Sequence, residues 1–442
     1  MRVLKFGGTS VGSVANINQV INIVKNGAQD QKIAVVVSAL GGITDLLMQA
    51  GTDASNKEDY NTAFKDIEAK HIEFTRTLIP DSKEALDEIK NLLGNLESLL
   101  QGIYLINELS PKTVDKLLAY GEILSSSIIA RAMYAQGLDA VRKDSRDLIT
   151  TNDKHTKAGV NYKVTNSQVE YYFTKAKQKI TVLPGFIAST AQGETTTLGR
   201  GGSDFTAAIV AAALDVDQVE IYTDVSGMYT ANPKMVKQAK PIDSISYHEA
   251  MELSHFGAKV LYPPTIVPVM SKNIPIRIKN TLQPEDPGTL IHNQEGLSDN
   301  PIKGLSNINN VALLTLEGGG MVGIPGISKR LFETLSNQGI NIILITQASS
   351  EHSICLGVME EDAGKAKNAI DEEFEYEISL NKIDPLTIEI GLSIIALVGD
   401  QMKSHQGISG KMFSTLGKNN VNIRAIAQGA SEKNISAVIA QK

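Results

Sequence analysis

The sequence predicts an α/β fold built on a parallel sheet, followed by two copies of a small βαββ unit. Short apolar runs at residues 2–6 and 33–37 each break at a pair of glycines, and a helical pattern follows each break. Alternating strands, glycine turns and helices are typical of a parallel sheet with ligand loops at its strand ends. Beyond residue 300 the sequence repeats itself, which predicts the paired units.

Bulk composition limits the classes of function. A chain of 442 residues exceeds one ordinary hydrophobic core, so about two or three domains are expected. The net charge of -7 argues against nucleic acid or an acidic membrane surface as a partner. The single cysteine, Cys355, cannot form an internal disulfide, and no apolar run approaches the ~18 residues of a membrane span. We therefore expect a cytoplasmic protein.

The first strand leads into a candidate phosphate loop. Lys5 lies at the end of this strand, directly before Gly7, Gly8, Thr9 and Ser10. Glycines let backbone N–H groups approach phosphate oxygens, and a lysine there can balance charge on a transferring phosphoryl group. An ordinary strand-to-helix turn would use the same residues. The sequence contains no Walker loop and no Gly-x-Gly-x-x-Gly fingerprint, so a kinase of this sequence would not be a P-loop enzyme.

The second strand, residues 33–37, is a continuous β-branched run, which indicates burial on both faces. It ends in the glycine-containing segment 38–42, and a helix is predicted to begin near Thr44. Residues 57–110 follow a helical pattern, which we interpret as a packing surface without chemistry. Asp81 and Glu84 resemble a capping pair at the start of its main helix.

The sheet is predicted to resume near Ala140, at 179–184 and at 218–223, giving a first domain over residues 1–295. Between these strands lies Arg200, flanked by three glycines, with space for a bidentate contact to a carboxylate or phosphate. Ser203 and Asp204 follow it at the start of an Ala-rich helix, where either could also be a simple N-cap.

The repeats lie at a constant offset of 81 residues, the difference between 407 and 326. Each copy reads as strand, helix, strand and strand, and the two copies are expected to pair, over residues 305–380 and 388–442. The recurring segments are Gly326-Ile327-Ser328 with Gly407-Ile408-Ser409, Asn341-Ile342 with Asn422-Ile423, and Gln347 with Gln428.

Together these motifs resemble, in order and nearly in spacing, the aspartokinase branch of the amino-acid kinase family. The matching segments are residues 5–11, 38–44, 121–122, 198–204, 223–229 and 256–261. The repeats resemble ACT domains, the amino-acid-sensing modules of aspartokinases. The resemblance covers essentially the whole chain. It implies a three-layer amino-acid-kinase-like sandwich with a mainly parallel sheet, followed by two ACT-like regulatory domains.

The resemblance also implies a role for each matching residue. The catalytic residues would be Lys5 and Asp204. Aspartate would be bound by Ser38, Thr44, Glu122, Arg200 and Gly201. ATP would be bound by Gly7, Gly8, Ser10, Thr223, Asp224, Tyr229, Lys234, Lys259 and Val260. An amino-acid effector would contact Asn341, Ile342, Gln347 and Gln428. ATP and Mg²⁺ are the implied cofactors, and no residue set is predicted to hold a metal by itself.

The implied reaction transfers the ATP γ-phosphate to the β-carboxylate of L-aspartate, giving 4-phospho-L-aspartate for lysine, threonine and methionine biosynthesis. This nucleophile has a pKa of ~3.9 and is already ionised at neutral pH, so no general base is needed. Repulsion between carboxylate and triphosphate is the main obstacle. Cations and backbone N–H groups offset it and align the reactants.

Residues 345–351 resemble the sensor of threonine-inhibited aspartokinases fused to homoserine dehydrogenase, so threonine is expected as effector rather than lysine. Paired sensors also imply a dimer or larger homo-oligomer. Three departures from the family pattern are Lys234 in place of arginine, Tyr262 in place of histidine, and an ending soon after the strand 435–439. ACT modules normally continue into another helix and strand. Either the chain is the kinase portion of a longer bifunctional protein, or the final module is completed differently.

Three alternatives remain open from the sequence. A related kinase could act on glutamate, N-acetylglutamate or UMP, although those enzymes look less similar in the loop around Arg200. A non-catalytic amino-acid-sensing regulator would be expected to have lost Lys5, Arg200 or Asp204, and all three are present. A nicotinamide dehydrogenase would need the missing glycine fingerprint.

Overall fold

The computed structural model describes residues 1–255, 261–294, 300–347, 352–429 and 433–441. The described residues divide into two compact units. The first unit draws on Met1–Met228, Pro241–Tyr247 and Lys259–Gln294, and the second on Tyr229–Lys240, His248–Ala258 and Glu295–Lys442. None of the helices in the described ranges is long and apolar enough to cross a membrane.

Up to residue 294 the chain contains both strands and helices. In chain order they are β1 (Arg2–Phe6), α1 (Val14–Gly27), β2 (Ile33–Val37), α2 (Ile43–Ser55), α3 (Asn61–Leu78), α4 (Lys83–Ile106), α5 (Pro111–Ala135), β3 (Ala140–Arg142), β4 (Thr150–Thr151), α6 (Tyr162–Lys175), β5 (Ile180–Pro184), β6 (Ile187–Thr190), β7 (Thr195–Thr197), α7 (Gly202–Leu214), β8 (Val219–Thr223), β9 (Ser244–Ser246), α8 (Tyr247–His255), α9 (Val267–Ser271), β10 (Ile276–Asn280) and β11 (Thr289–His292).

The main sheet has eight strands in the order β3-β5-β2-β1-β8-β10-β11-β9. Its strand pairs are parallel except β10 with β11. All five residues of β2 are buried, as its β-branched run predicts. The hydrophobic core joins β1, β2 and β5 to α1, α2 and α5. The predicted mainly parallel α/β architecture is confirmed.

The start of α4 differs from the sequence prediction. Ser82 is its N-cap, and the Ser82 hydroxyl accepts a hydrogen bond from the backbone N–H of Ala85 at 3.2 Å. Asp81 instead takes a left-handed conformation with φ of 64°. The capping pair of Asp81 and Glu84 is therefore wrong, because the chain turns at Asp81 before the helix begins.

A small sheet in the order β4-β6-β7 was not predicted from the sequence. Its strands are two to four residues long and rich in threonine, so they carry little apolar periodicity. Pro287 and Gly288 directly precede β11. Gly288 has φ of +68°, and a Cβ there would lie 1.9 Å from the carbonyl oxygen of Ile278.

The second unit contains both copies of the repeat. Its elements after residue 300 are β12 (Gly304–Glu317), α10 (Ile327–Asn337), β13 (Leu344–Gln347), β14 (Ser353–Met359), α11 (Ala363–Glu373), α12 (Glu375–Ser379), β15 (Thr387–Val398), α13 (Ile408–Lys418), β16 (Ile423–Gln428) and β17 (Asn434–Ala440). Each copy is βαββ, as predicted. The copies share one antiparallel sheet, β13-β14-β12-β15-β17-β16, in which β12 pairs with β15.

Candidate active site

The loops after β1 and β2 meet at one edge of the main sheet. Both strands are parallel, with Phe6 opposite Val37, so their carboxyl ends lie side by side. Glycines allow the two loops to touch, because a Cβ on Gly41 would lie 3.2 Å from the carbonyl oxygen of Gly8. These loops form one wall of a cleft of about 530 Å³.

The cleft gathers eight of the residues that the family resemblance implies for catalysis and binding. They are Lys5, Gly8, Ser38, Thr44, Glu122, Arg200, Gly201 and Asp204. They come from β1, α2, α5, α7 and the loops after β1, β2 and β7. Long stretches of sequence separate these elements, and the parallel sheet brings them to one edge.

Lys5 and Asp204 form an ion pair within the cleft. Lys5 Nζ lies 2.7 Å from Asp204 Oδ1, and the two side chains are only 11% and 13% exposed. The N-cap of α7 is Gly201, in a left-handed conformation, so neither Ser203 nor Asp204 caps the helix. The N-cap alternative from the sequence is therefore wrong. The Asp204 carboxylate instead holds the lysine in place at the first turn of α7.

Glu122 places a buried acid in the same cleft. Its side chain extends from α5, and its Oε1 accepts a hydrogen bond from the backbone N–H of Ala39 at 3.2 Å. Oε2 has no hydrogen-bond partner among the described residues. Burial raises the pKa of Glu122 to about 8. An unpartnered buried carboxyl group of this kind fits the ammonium group of an amino acid.

Arg200 lines the cleft from the loop before α7. Its guanidinium group is 5.5 Å from the ring centroid of Tyr262, a cation–π distance. Gly201 has φ of +70°, and a Cβ there would lie 2.8 Å from the Tyr262 Cβ. Tyr262, which departs from the family pattern, therefore packs on this loop and orients the arginine.

Two other predicted residues, Gly7 and Ser10, form hydrogen bonds to other parts of the protein. The Gly7 N–H donates to the carbonyl oxygen of Tyr222 at 3.2 Å. The Ser10 hydroxyl donates to the same carbonyl at 3.2 Å and lies 2.6 Å from the Thr281 hydroxyl. Neither residue lines the cleft. These hydrogen bonds connect the candidate phosphate loop to β8 and to the end of β10. They thereby fix the position of Lys5.

The remaining residues that were predicted to bind the nucleotide do not line the cleft where the structure describes them. Thr223 ends β8, beside the strand of Lys5, and its hydroxyl donates to Asp224 Oδ1 at 3.1 Å. Neither Thr223 nor Asp224 lines the cleft. Tyr229 and Lys234 fall in the second unit, and their nucleotide roles stay predictions. Lys259 and Val260 lie outside the described residues.

The predicted effector residues lie at equivalent places in the two repeats. Gln347 ends β13 and Gln428 ends β16, and both side chains are exposed. Asn341 is exposed, whereas Ile342 packs against the core of the first repeat. β13 begins at Leu344, two residues after Ile342.

The sequence missed several residues that line the cleft, including Asp45, Thr156 and Phe186. Thr156 and Phe186 have φ of 69° and 66°. Such left-handed conformations favour glycine or asparagine, so these residue types gave no signal. Within the described ranges, no group of three or more His, Cys, Asp and Glu residues is placed to hold a metal ion.

Comparison with protein families identifies the class. A model described as "Amino acid kinase family" matches residues 1–280, and one described as "ACT domain" matches residues 314–374 and 395–442. The chain therefore belongs to the amino acid kinase family.

Individual relatives narrow this class to the aspartokinases. The chain is 37% identical to the chloroplastic bifunctional aspartokinase/homoserine dehydrogenase 2 of Arabidopsis thaliana, over 99% of this chain and 49% of the relative. It is 32% identical to lysine-sensitive aspartokinase 3 of Escherichia coli, over 99% of this chain and 95% of the relative. The chain spans about half the length of its bifunctional plant relatives.

Solved structures give the same result. The structure of E. coli aspartokinase III in complex with aspartate and ADP matches with a TM-score of 0.83 and 30% identity, over 100% of this chain and 96% of that one. The same enzyme in complex with lysine and aspartate matches with a TM-score of 0.80. The resemblance to aspartokinases is confirmed.

Proposed function

We propose that the chain is an aspartate kinase, which transfers the γ-phosphoryl group of ATP to the β-carboxylate of L-aspartate. The observation that carries the proposal is the single cleft that joins the Lys5–Asp204 ion pair to the unpartnered acid of Glu122 and to Arg200. Lys5 can offset the charge of the phosphate, Glu122 can bind the ammonium group, and Arg200 can bind the carboxylate. The cleft therefore matches the charges of the two substrates.

Each side chain has a distinct role in this proposal. Arg200 binds the α-carboxylate, Glu122 binds the ammonium group, and Thr44 and Ser38 border the bound amino acid. Lys5 balances the charge on the phosphoryl group during transfer. Asp204 keeps Lys5 oriented and, with the nucleotide phosphates, would hold Mg²⁺, which supplies further charge neutralisation when bound.

A hydroxylamine-trapping assay tests this function. Acyl phosphates react with hydroxylamine to give hydroxamates, so the chain is incubated with ATP, Mg²⁺ and either aspartate, glutamate or N-acetylglutamate. We expect hydroxamate with aspartate and at most a trace with the other two. A preference for glutamate or N-acetylglutamate would reassign the substrate. Folded protein that is inactive with all three would favour the non-catalytic regulator.

Feedback control by threonine is the second part of the proposal. It is supported by the repeated βαββ units and by the resemblance of residues 345–351 to threonine sensors. Among the relatives, the E. coli enzyme is named lysine-sensitive. We expect threonine, and not lysine, to raise the melting temperature and inhibit the kinase. Gln347→Ala and Gln428→Ala should weaken this response, with Gln338→Ala, an exposed α10 C-cap, as control. A shift with lysine alone would reverse the assignment.

The last part of the proposal concerns the domain boundaries, the oligomeric state and the cellular location of the chain. We propose a kinase domain over residues 1–295 and regulatory domains over 305–380 and 388–442, in a homo-oligomer of two or more chains. We also propose a cytoplasmic location and a place at the first step of lysine, threonine and methionine synthesis. Light scattering on the purified chain tests the oligomer, and a monomeric mass at micromolar concentration would contradict it.

A further inference from the structure

Asp115 is a fully buried acid beside the cleft, in the same helix as Glu122. Its side chain is 0% exposed, yet it makes no ion pair with lysine or arginine within the described residues. Asp115 Oδ1 accepts from the Thr197 hydroxyl at 2.5 Å, and Oδ2 accepts from His155 Nδ1 at 2.7 Å. The backbone N–H of Thr156 donates to both oxygens, at 3.0 and 3.1 Å.

Two of these three donors belong to residues that line the cleft. Thr156 and Thr197 both border the space next to Arg200. Thr156 has φ of 69°, an unfavourable conformation for a β-branched residue, so its backbone needs an external contact to stay in place. The bond from its N–H to Asp115 is such a contact. Thr197 ends β7, three residues before Arg200.

These contacts connect three separate parts of the cleft wall. Asp115 lies seven residues before Glu122, which is two turns of α5, so both side chains extend from similar faces. It holds the Thr156 segment on one side and the end of β7 on the other. A Cβ on Gly199 would lie 3.2 Å from the carbonyl oxygen of Thr156, so the two held segments also touch each other.

We propose that Asp115 is a positioning residue that holds Glu122 and Arg200, the anchors of the amino-acid head group, at a fixed position in the cleft, and thereby sets the length of the amino acid that the cleft accepts. This inference rests on the proposed aspartate kinase function. Glu122 and Arg200 hold the head group that aspartate and glutamate share. The separation of these anchors from Lys5 then decides whether a side-chain carboxylate with one or two methylenes reaches the phosphoryl group.

A carboxylate suits this position better than an amide. It can only accept hydrogen bonds, and it faces donors from His155, Thr156 and Thr197. In Asp115→Asn an NH₂ group replaces one of the two oxygens that accept from the Thr156 backbone N–H, so one of these two contacts would be lost. The residue volume is nearly unchanged, so the substitution tests the hydrogen bonds and not the packing.

The test compares Asp115→Asn with Glu220→Gln in the full chain. Glu220 is 3% exposed and accepts a hydrogen bond from Tyr222 at 2.8 Å, but it does not line the cleft. Both variants should lower the melting temperature. We expect only Asp115→Asn to raise the KM for aspartate and to reduce the aspartate-to-glutamate ratio of kcat/KM, each by about tenfold, with the KM for ATP changed less than about twofold.

An unchanged KM for aspartate and an unchanged substrate ratio in Asp115→Asn would overturn the inference, as would an equal rise in the KM of ATP. If this variant does not fold, Thr197→Val and His155→Leu each remove one donor and should show the same selective change. Failure of both to do so would also overturn it. Wild-type chain that is inactive with aspartate would instead refute the proposed function, so the two failures are distinguishable.

Discussion

Lys5 is a paired cation in the cleft, and Glu122 is an acid with one unpartnered oxygen. Lys5 is held by Asp204 at 2.7 Å, whereas Glu122 Oε2 has no partner among the described residues. Both groups are buried, so their interactions with a substrate charge are stronger than in water. Under the proposed function, Asp204 orients Lys5 before the phosphoryl group is transferred. The unpartnered Glu122 carboxyl group can bind the ammonium group of the amino acid.

The first prediction concerns Lys5. Lys5→Met removes the cation but keeps the aliphatic side chain, and Lys65→Met on α3 is an exposed control. If Lys5 stabilises the transferring phosphoryl group, turnover should fall by about 10²-fold or more while aspartate affinity changes little. Steady-state kinetics and calorimetric titration with aspartate measure the two effects. Equal losses in both would mean that Lys5 only binds substrate.

The second prediction concerns the protonation of Glu122. Its pKa near 8 keeps the free acid neutral at pH 7, but an ammonium group favours the carboxylate. Aspartate binding should therefore release a proton, and the KM for aspartate should fall as pH rises from about 6 to about 8. Glu122→Gln should lose this pH dependence and bind aspartate more weakly. A wild-type KM that does not change with pH would contradict this role.

The same acid should destabilise the folded chain at alkaline pH. Its ordinary pKa is 4.5 and its folded value is about 8. The unfolded state therefore loses its proton first, and the free energy of unfolding falls as pH rises between these values. Glu122→Gln removes this effect, so its melting temperature at pH 8 should exceed that of wild type by about 2 °C or more. No difference at pH 8 would contradict the burial of an ionisable group.

Helix α3 contributes to the cleft although its sequence shows no chemistry. Lys70 Nζ donates to the carbonyl oxygen of Gly41 at 2.6 Å, in the loop after β2. This contact could not be predicted from the sequence, because a lysine on an amphipathic helix normally lies on the solvated face of the helix. The helical segment thus supports the loop between Ser38 and Thr44.

The third prediction concerns this support. Lys70→Met should raise the KM for aspartate by about threefold to tenfold, because the loop between Ser38 and Thr44 loses its outer contact. The melting temperature should change by less than about 2 °C, since a single partly buried hydrogen bond contributes little to stability. Lys65→Met again serves as the matched control. A KM equal to that of wild type would show that the loop does not need Lys70.

Some helices and strands could be predicted from the sequence, and others could not. β1 and β2 were predicted to the residue, because short apolar segments are followed by loops that contain paired glycines. β4, β6 and β7 were missed because short threonine-rich strands lack an apolar pattern. The N-caps of α4 and α7 were wrong, since backbone conformation at Asp81 and Gly201 decides them. Contacts such as that of Asp115 with Thr197 join distant residues and have no local signal.

The repeats of the second unit form one structural body. Their shared core contains Leu313 and Leu344 from the first copy and Ile394 and Val438 from the second. The pairing of β12 with β15 continues the sheet across the two copies. The constant sequence offset predicted two similar units that pair, and the family model supports the ACT assignment of both. Neither copy completes this core alone.

The fourth prediction follows from this shared core. Ile394 is 0% exposed, and Ile394→Ala should destabilise the second unit by about 2–5 kcal/mol. Hydrogen exchange should accelerate in both repeats together, and the response to an effector should be lost. Ile390→Ala, at a position 61% exposed on the same strand β15, is the control. Faster exchange limited to the second copy would show that the repeats unfold independently.

The chain as a whole combines the cleft, for which we propose phosphoryl transfer, with a second unit of paired repeats. The central claim is that this cleft transfers phosphate to aspartate. It is tested most directly by measuring ADP and aspartyl hydroxamate in one reaction containing ATP, Mg²⁺, aspartate and hydroxylamine. We predict equal amounts of both products from the wild-type chain and neither above background from Lys5→Met. ADP without hydroxamate, or hydroxamate formed at the wild-type rate by Lys5→Met, would contradict the account.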